Sequence, residues 1–191
     1  MLSSHPAASQ PTPEAPAPLN PPRLFELCGP VLTRYLGSLA RVLQAVDDLP
    51  PAQAQAVFGA RLAADMLPFS RQVETAAFFA LRTAYPLAGR PVPAFEGVTS
   101  TLADLRSRVA STLVQLQALC PAEFSGAEDR TLVEQAGSAR VELPAEQFLV
   151  AYALPNLLFH LGMAYAIARQ HGAALGKADY DGFHVYERGG S

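Results

Sequence analysis

Thr101-Leu-Ala-Asp-Leu-Arg-Ser-Arg-Val-Ala-Ser-Thr-Leu-Val-Gln-Leu-Gln-Ala-Leu119 decides the fold class. Leu102, Leu105, Val109, Leu113, Leu116 and Leu119 recur at intervals of three and four, which puts them on one face of a helix. Thr101 stands just ahead of that stripe and Asp104 three residues later, an N-cap followed by an acidic first turn. A helix with one apolar face cannot remain alone in water, so the rest of the chain must supply partners with the same period.

Three such partners can be read. Cys28, Val31, Leu32, Tyr35, Leu39, Val42 and Val46 form an amphipathic stripe from Leu24 to about Asp48, with a start or a kink expected near Gly29 and Pro30. After Pro50-Pro51 the segment Ala52 to Phe58 forms a short helical turn, and Pro68 opens a second helix through Phe69, Val73, Ala77, Leu81 and Ala84. A proline-rich loop, Leu87 to Ser100, then leads to the helix quoted above. The last helix opens at Pro144 or Ala145 and turns Phe148, Leu149, Tyr152, Phe159, Met163 and Ile167 inward, with a kink at Pro155 and a stop at His171-Gly172. Between the last two helices, Arg130 to Gln135 and Ala139 to Leu143 alternate around Ala136-Gly137-Ser138, the pattern of a short β-hairpin. The reading is an all-α four-helix bundle with a long crossover and one two-stranded excursion.

Residues 1–22 hold seven of the 17 prolines and read as a disordered Pro/Ala-rich tail, leaving a domain over 23–182 and a C-terminal tail over 183–191. Pro13 to Pro16 and Pro18 to Pro21 have PxxP spacing, which an Ala-Pro tail produces by chance. The tail has neither a basic n-region nor an apolar h-region, so the expected location is cytoplasmic. Cys28 and Cys120 are expected to be reduced thiols.

Composition removes several functions. With 14 Lys+Arg against 17 Asp+Glu and a formal charge of -3, no positive field exists to gather phosphates, so nucleic acid is not an expected partner. The near-apolar run Phe148 to Met163 is interrupted by Pro155, Asn156 and His160 and is shorter than the ~20 residues of a spanning helix, so it reads as a buried helix and not as a membrane anchor. No His has a Glu three residues before it, which excludes a ferritin-like di-iron site. Gly172-Ala-Ala-Leu-Gly-Lys-Ala178 is too short for a phosphate loop and lacks its Ser/Thr. Nucleophile elbows, His-Glu-x-x-His pairs and Cys-x-x-Cys motifs are absent from the sequence, and no cofactor is assigned.

The remaining signal is polar residues on core-like helices: Asp65 and Gln72 around the second helix, and Asn156 and His160 one turn apart on the last. His160, within Leu-Leu-Phe-His-Leu-Gly-Met, needs a polar neighbour. It can fix helix register through Gln72, Asp65 or a carbonyl, line a ligand pocket, or hold a metal.

Ala60-Arg-Leu-Ala-Ala-Asp-Met-Leu-Pro-Phe-Ser-Arg-Gln-Val73, Leu154-Pro-Asn-Leu-Leu-Phe-His160 through Ala164-Tyr165, Leu175-Gly-Lys-Ala-Asp-Tyr180 and Gly126-Ala-Glu-Asp-Arg130 together resemble an uncharacterised bacterial family of DinB-like bundles. The resemblance spans about Leu24 to Gly182 and implies a DinB-like four-helix bundle, often dimeric. It places dimer contacts on the first and last helices. The wider superfamily includes metal-dependent thiol transferases and hydrolases that hold a divalent ion with three histidines. Carried over, those positions fall at Gln72 and at His160 with Asn156 or Ala164, so one imidazole of three is kept. The expected function is therefore either to bind a small polar ligand in a pocket formed by Asp65, Gln72, Asn156, His160, Tyr165 and Lys177, with no metal assigned, or to act as a structural or interaction module. The alternative is a degenerate metal-dependent transferase or hydrolase centred on His160. Arg61 and Asp65 are expected to pair, and Lys177 and Asp179 to dock the tail or line the pocket.

Overall fold

The computed structural model describes residues 21–184. The parts of the two expected tails at 1–20 and 185–191 lie outside them. Four long helices form the bundle: α1 (Arg23–Asp47), α3 (Phe69–Leu87), α4 (Leu102–Gln117) and α6 (Leu154–Gln170). The shorter pieces are α2 (Pro51–Gly59), the hairpin β1 (Thr131–Ala136) and β2 (Ala139–Pro144), α5 (Ala145–Gln147) and α7 (Lys177–Asp181). Around the bundle, α3 packs chiefly on α6 and α4, and α1 on the same two helices. Thus α1 and α3 face each other diagonally, and the link between them, including α2, bridges one end.

Local chemistry explains the boundaries. Thr101 Oγ1 accepts from Asp104 N at 3.1 Å while Asp104 Oδ2 accepts from Thr101 N and Ser100 N at 2.9 Å, so the capping box is complete. Those backbone and side-chain donors hold the Asp104 carboxyl below its usual range. The hairpin is antiparallel, with Leu132 opposite Leu143 and Ala136 opposite Ala139 around Gly137-Ser138, and Gly137 takes φ +60°, which glycine adopts without a Cβ penalty.

Helix α1 departs from expectation by starting at Arg23 and running through Pro30. Pro30 and Glu26, one turn before it, are both exposed, so the carbonyl that loses its N–H partner lies on the solvated side. Buried Leu24, Cys28, Leu32, Leu39, Val42 and Val46 hold the inner side, each at 0% exposure.

The last helix holds the larger correction. Ala145–Gln170 is continuous for 26 residues, and a π-helical stretch, Phe148–Ala153, stands where a kink at Pro155 was expected. The Pro155 ring would collide with the carbonyl of Ala151 in a regular α-helix, and a wider turn just before it moves that carbonyl away. Asn156 Nδ2 donates to Tyr152 O at 2.7 Å inside the same region. The π turn also resets the phase of the side chains. Buried Phe148 and Leu149 stand five and four residues before Ala153, and the buried positions then step by four to Leu157 and Leu161 and on to Ala164, Ile167 and Ala168. Phe159, expected inside, is 51% exposed.

The expectation of a buried helix is corrected accordingly. Only 33% of its most apolar 18-residue window is buried, and by length and composition Ala145–Gln170 is long and apolar enough to cross a membrane. Its inner side packs on α3 and α1, and on its outer side Val150 and Phe159 are left exposed by the described residues.

Candidate functional site

Gln72 lies in the first turns of α3 and is 1% exposed. A buried amide must use both ends. Its Nε2 donates to Leu67 O at 3.2 Å, in the link before α3, and its Oε1 lies 2.7 Å from His160 Nδ1 on α6. With Nε2 committed as the donor, Oε1 can only accept, so His160 Nδ1 carries the proton. Burial pushes the His160 imidazole below its ordinary value of 6.5, so the ring is neutral at pH 7. A neutral imidazole protonated on Nδ1 has a lone pair on Nε2, and Nε2 has no hydrogen-bond partner among the described residues.

Aromatic rings fix the orientation of that imidazole. Phe79 on α3 stacks on it at 5.7 Å with planes 20° apart, and Phe159 meets it edge-on at 5.2 Å. The Phe79 ring also carries the Arg82 guanidinium, 4.8 Å from its centroid. Arg82 Nε donates to Glu134 Oε2 at 3.0 Å, tying α3 to β1. Tyr152, 6.0 Å from Phe79, has its phenol pushed up by burial, with Arg82 opposing and Glu134 adding to the shift. The result is a short row across the α3–α6 seam: amide, imidazole, phenyl ring and ion pair.

Of the six sequence-derived candidates, the structure brings Gln72 and His160 together. Asn156 shares the helix with His160, but its Nδ2 donates to Tyr152 O and no hydrogen bond joins it to His160 or Gln72. Asp65 is exposed in the link before α3 and makes no hydrogen bond with Gln72 or His160, and Arg61 donates to Met66 O and does not pair with it. Tyr165 and Lys177 belong to a different group. Tyr165 packs edge-on against Tyr180 at 5.7 Å and accepts from Arg169 Nη1 at 3.4 Å. Lys177 Nζ lies 3.3 Å from His184 Nε2 on α7's outer end. That C-terminal piece docks on α1 and α6: Asp179 caps Gly176 N at 2.7 Å, Arg41 Nε donates to Asp179 O at 3.2 Å, and Tyr180 OH donates to Leu158 O at 3.4 Å.

Sequence reading missed Phe79, Tyr152, Arg82, Glu134 and the Leu67 carbonyl. Phe79 falls outside the apolar stripe read for that helix, and a backbone acceptor has no sequence signal. The Arg82–Glu134 pair joins residues of α3 and β1, which no local pattern connects.

The bundle belongs to the DinB-like class. It matches the crystal structure of a DinB family member protein from Shewanella denitrificans with a TM-score of 0.74 and 29% sequence identity, covering 86% of this chain and 94% of that one. Residues 24–181 match the domain of unknown function DUF1993, and the chain belongs to that family. No curated protein matches it.

A three-imidazole divalent site does not fit the residues present. Of the three positions only His160 carries an imidazole: the Gln72 oxygen already accepts from His160, Asn156 is an amide held through Nδ2 on Tyr152 O, and Ala164 has no donor atom. Among the described residues no three His, Cys, Asp or Glu side chains group closely enough to hold an ion.

The neutral imidazole gives a pH dependence with a definite sign. Unfolded His160 takes up its proton near the ordinary value of ~6.5, and the folded form takes it up lower. The contribution of His160 to stability is therefore full above about pH 6.5 and is lost as pH falls through the folded value. The thermal midpoint of the wild type is expected to fall more steeply between about pH 7 and pH 5 than that of His160→Asn. Equal slopes would show that another group titrates.

Proposed function

We propose that this chain is a ligand-binding bundle in which His160 Nε2 accepts a hydrogen bond from a hydroxyl, amine or thiol of a small polar molecule. The observation that carries this reading is the 2.7 Å contact between His160 and Gln72, itself anchored on Leu67 O. It leaves one ring nitrogen as a pre-oriented acceptor, with the exposed ring of Phe159 beside it as an apolar wall. The same lone pair suits proton abstraction more than it suits holding an ion alone, because a single imidazole is a weak chelate. Two thiols without a disulfide, Cys28 buried and Cys120 exposed, favour a reducing, cytoplasmic setting.

Titration of untagged, 15N-labelled protein with phenol, ethanolamine and cysteamine tests this, with anisole as the hydroxyl-blocked control. A saturable shift at His160 Nε2 with at least one donor, absent with anisole and lost in His160→Ala, is expected. No response to any donor would overturn the reading. Elemental analysis of the same preparation tests the alternative, since stoichiometric metal in the wild type and not in His160→Ala would favour a metal-dependent transferase or hydrolase.

The partner of the uncovered α6 face is, in this reading, a second copy of the chain. Residues 147–168 contain no charged side chain, so the outer strip through Val150 and Phe159 offers no charge for a partner to match and suits a self-complementary contact. Light scattering is expected to give twice the 20.3 kDa chain mass, and Phe159→Glu to give the monomer. A wild-type monomer would overturn it.

A further inference from the structure

On the far side of the bundle from α6, a groove of about 480 Å³ lies between the crossover residues 93–99 and α4. Arg108 lines it. Its guanidinium sits 4.4 Å from the Phe95 ring centroid, and Nη2 donates to Gly97 O and Thr99 Oγ1, both at 3.3 Å. Those two long bonds to neutral acceptors are all the hydrogen bonds it makes among the described residues. Among the described residues the buried Nε meets no acceptor, Nη1 makes no hydrogen bond, and no carboxylate lies within ion-pair distance. Arg82 shows what such a cation ordinarily does: it is also partly buried, and Glu134 accepts from it. A partly desolvated guanidinium with two of its three nitrogens unpartnered is a donor set without its anion.

The remaining walls narrow the class of anion. Ser107, on the same side of α4 one turn from Ser111, offers a hydroxyl that makes no hydrogen bond among the described residues. Phe95 and Val98 supply apolar surface, Val98 at 89% exposure. Asp104 and Glu96 border the groove and repel a multiply charged ligand. We propose that this groove binds a small monocarboxylate with an apolar body, its carboxylate taken by Arg108 and Ser107 and its body lying against Phe95. The volume suits a molecule of that size.

Benzoate is the probe, with benzamide as its neutral counterpart and inorganic phosphate as a multiply charged anion. In side-chain 15N spectra of the full chain, benzoate is expected to shift the Arg108 guanidinium signals saturably. Benzamide and phosphate are expected to bind at least about tenfold more weakly. Arg108→Gln is expected to lose benzoate binding by at least tenfold as well. Because Arg108 also holds the crossover, Ser107→Asp provides a second variant that leaves those contacts in place and adds a repelling charge, with the same expected loss. Benzamide or phosphate binding as tightly as benzoate, benzoate binding retained in Ser107→Asp, or no saturable shift in the wild type would each overturn the proposal.

Discussion

Phe79→Ala is expected to lower folding stability by about 3–5 kcal/mol and to release the His160 ring at the same time. Phe79 is 6% exposed, so its removal leaves a cavity at the α3–α6 seam, the most extensive helix–helix contact in the bundle. The same ring carries three neighbours: His160 at 5.7 Å, Tyr152 at 6.0 Å and the Arg82 guanidinium at 4.8 Å. Losing it removes the surface that orients the imidazole as well as the core contact. Chemical denaturation measures the first effect, and the 15N signals of His160 measure the second. Phe79→Leu keeps most of the buried volume and none of the stacking, so it is expected to recover much of the stability without restoring the ring order. If Phe79→Leu restored both, the stacking would have no part in positioning His160.

Gln72→Leu is expected to cost about 1–3 kcal/mol, because it strands the His160 Nδ1–H and the Leu67 carbonyl that the buried amide now satisfies. The chemical consequence matters more. Without the acceptor at Nδ1, nothing fixes the proton there, and the Nε2–H form becomes available, which turns the ligand-facing nitrogen from acceptor into donor. The 15N chemical shifts of the two ring nitrogens report that exchange directly. Gln72→Glu is the informative companion. It preserves an acceptor in place and adds a negative charge, so the imidazole value is expected to rise from its depressed position and the acid-side loss of stability to become shallower. Unchanged ring shifts in Gln72→Leu would mean that the amide does not set the tautomer.

Both substitutions act on residues that the sequence presents unequally. Gln72 and His160 stand out because a polar group on an apolar helix face must find a partner, and each found the other. Their link to Leu67 is invisible in the sequence, as is the use of Phe79 as a shared platform for a histidine, a tyrosine and an arginine. Asp65 stood out by the same reasoning and found no such partner, whereas Tyr165 and Lys177 came with the matching family segments; the three fold to different places: an exposed link, the flank of α6 and the docked C-terminal helix.

The amino-acid sequence by itself determined the helices and their order, because apolar period, the Thr101–Asp104 cap, the Gly137-Ser138 turn and the proline pairs are local properties that a few consecutive residues enforce. The phase of the last helix was decided only in the tertiary structure. Packing of Phe148 and Ala153 together with relief of the Pro155 clash selects a π turn, and that single extra residue per turn turns Phe159 outward, beside a His160 that packs on α3. The tautomer of His160 and the unpaired state of Arg108 are likewise tertiary facts, since each depends on acceptors brought in, or not brought in, from elements far away along the chain.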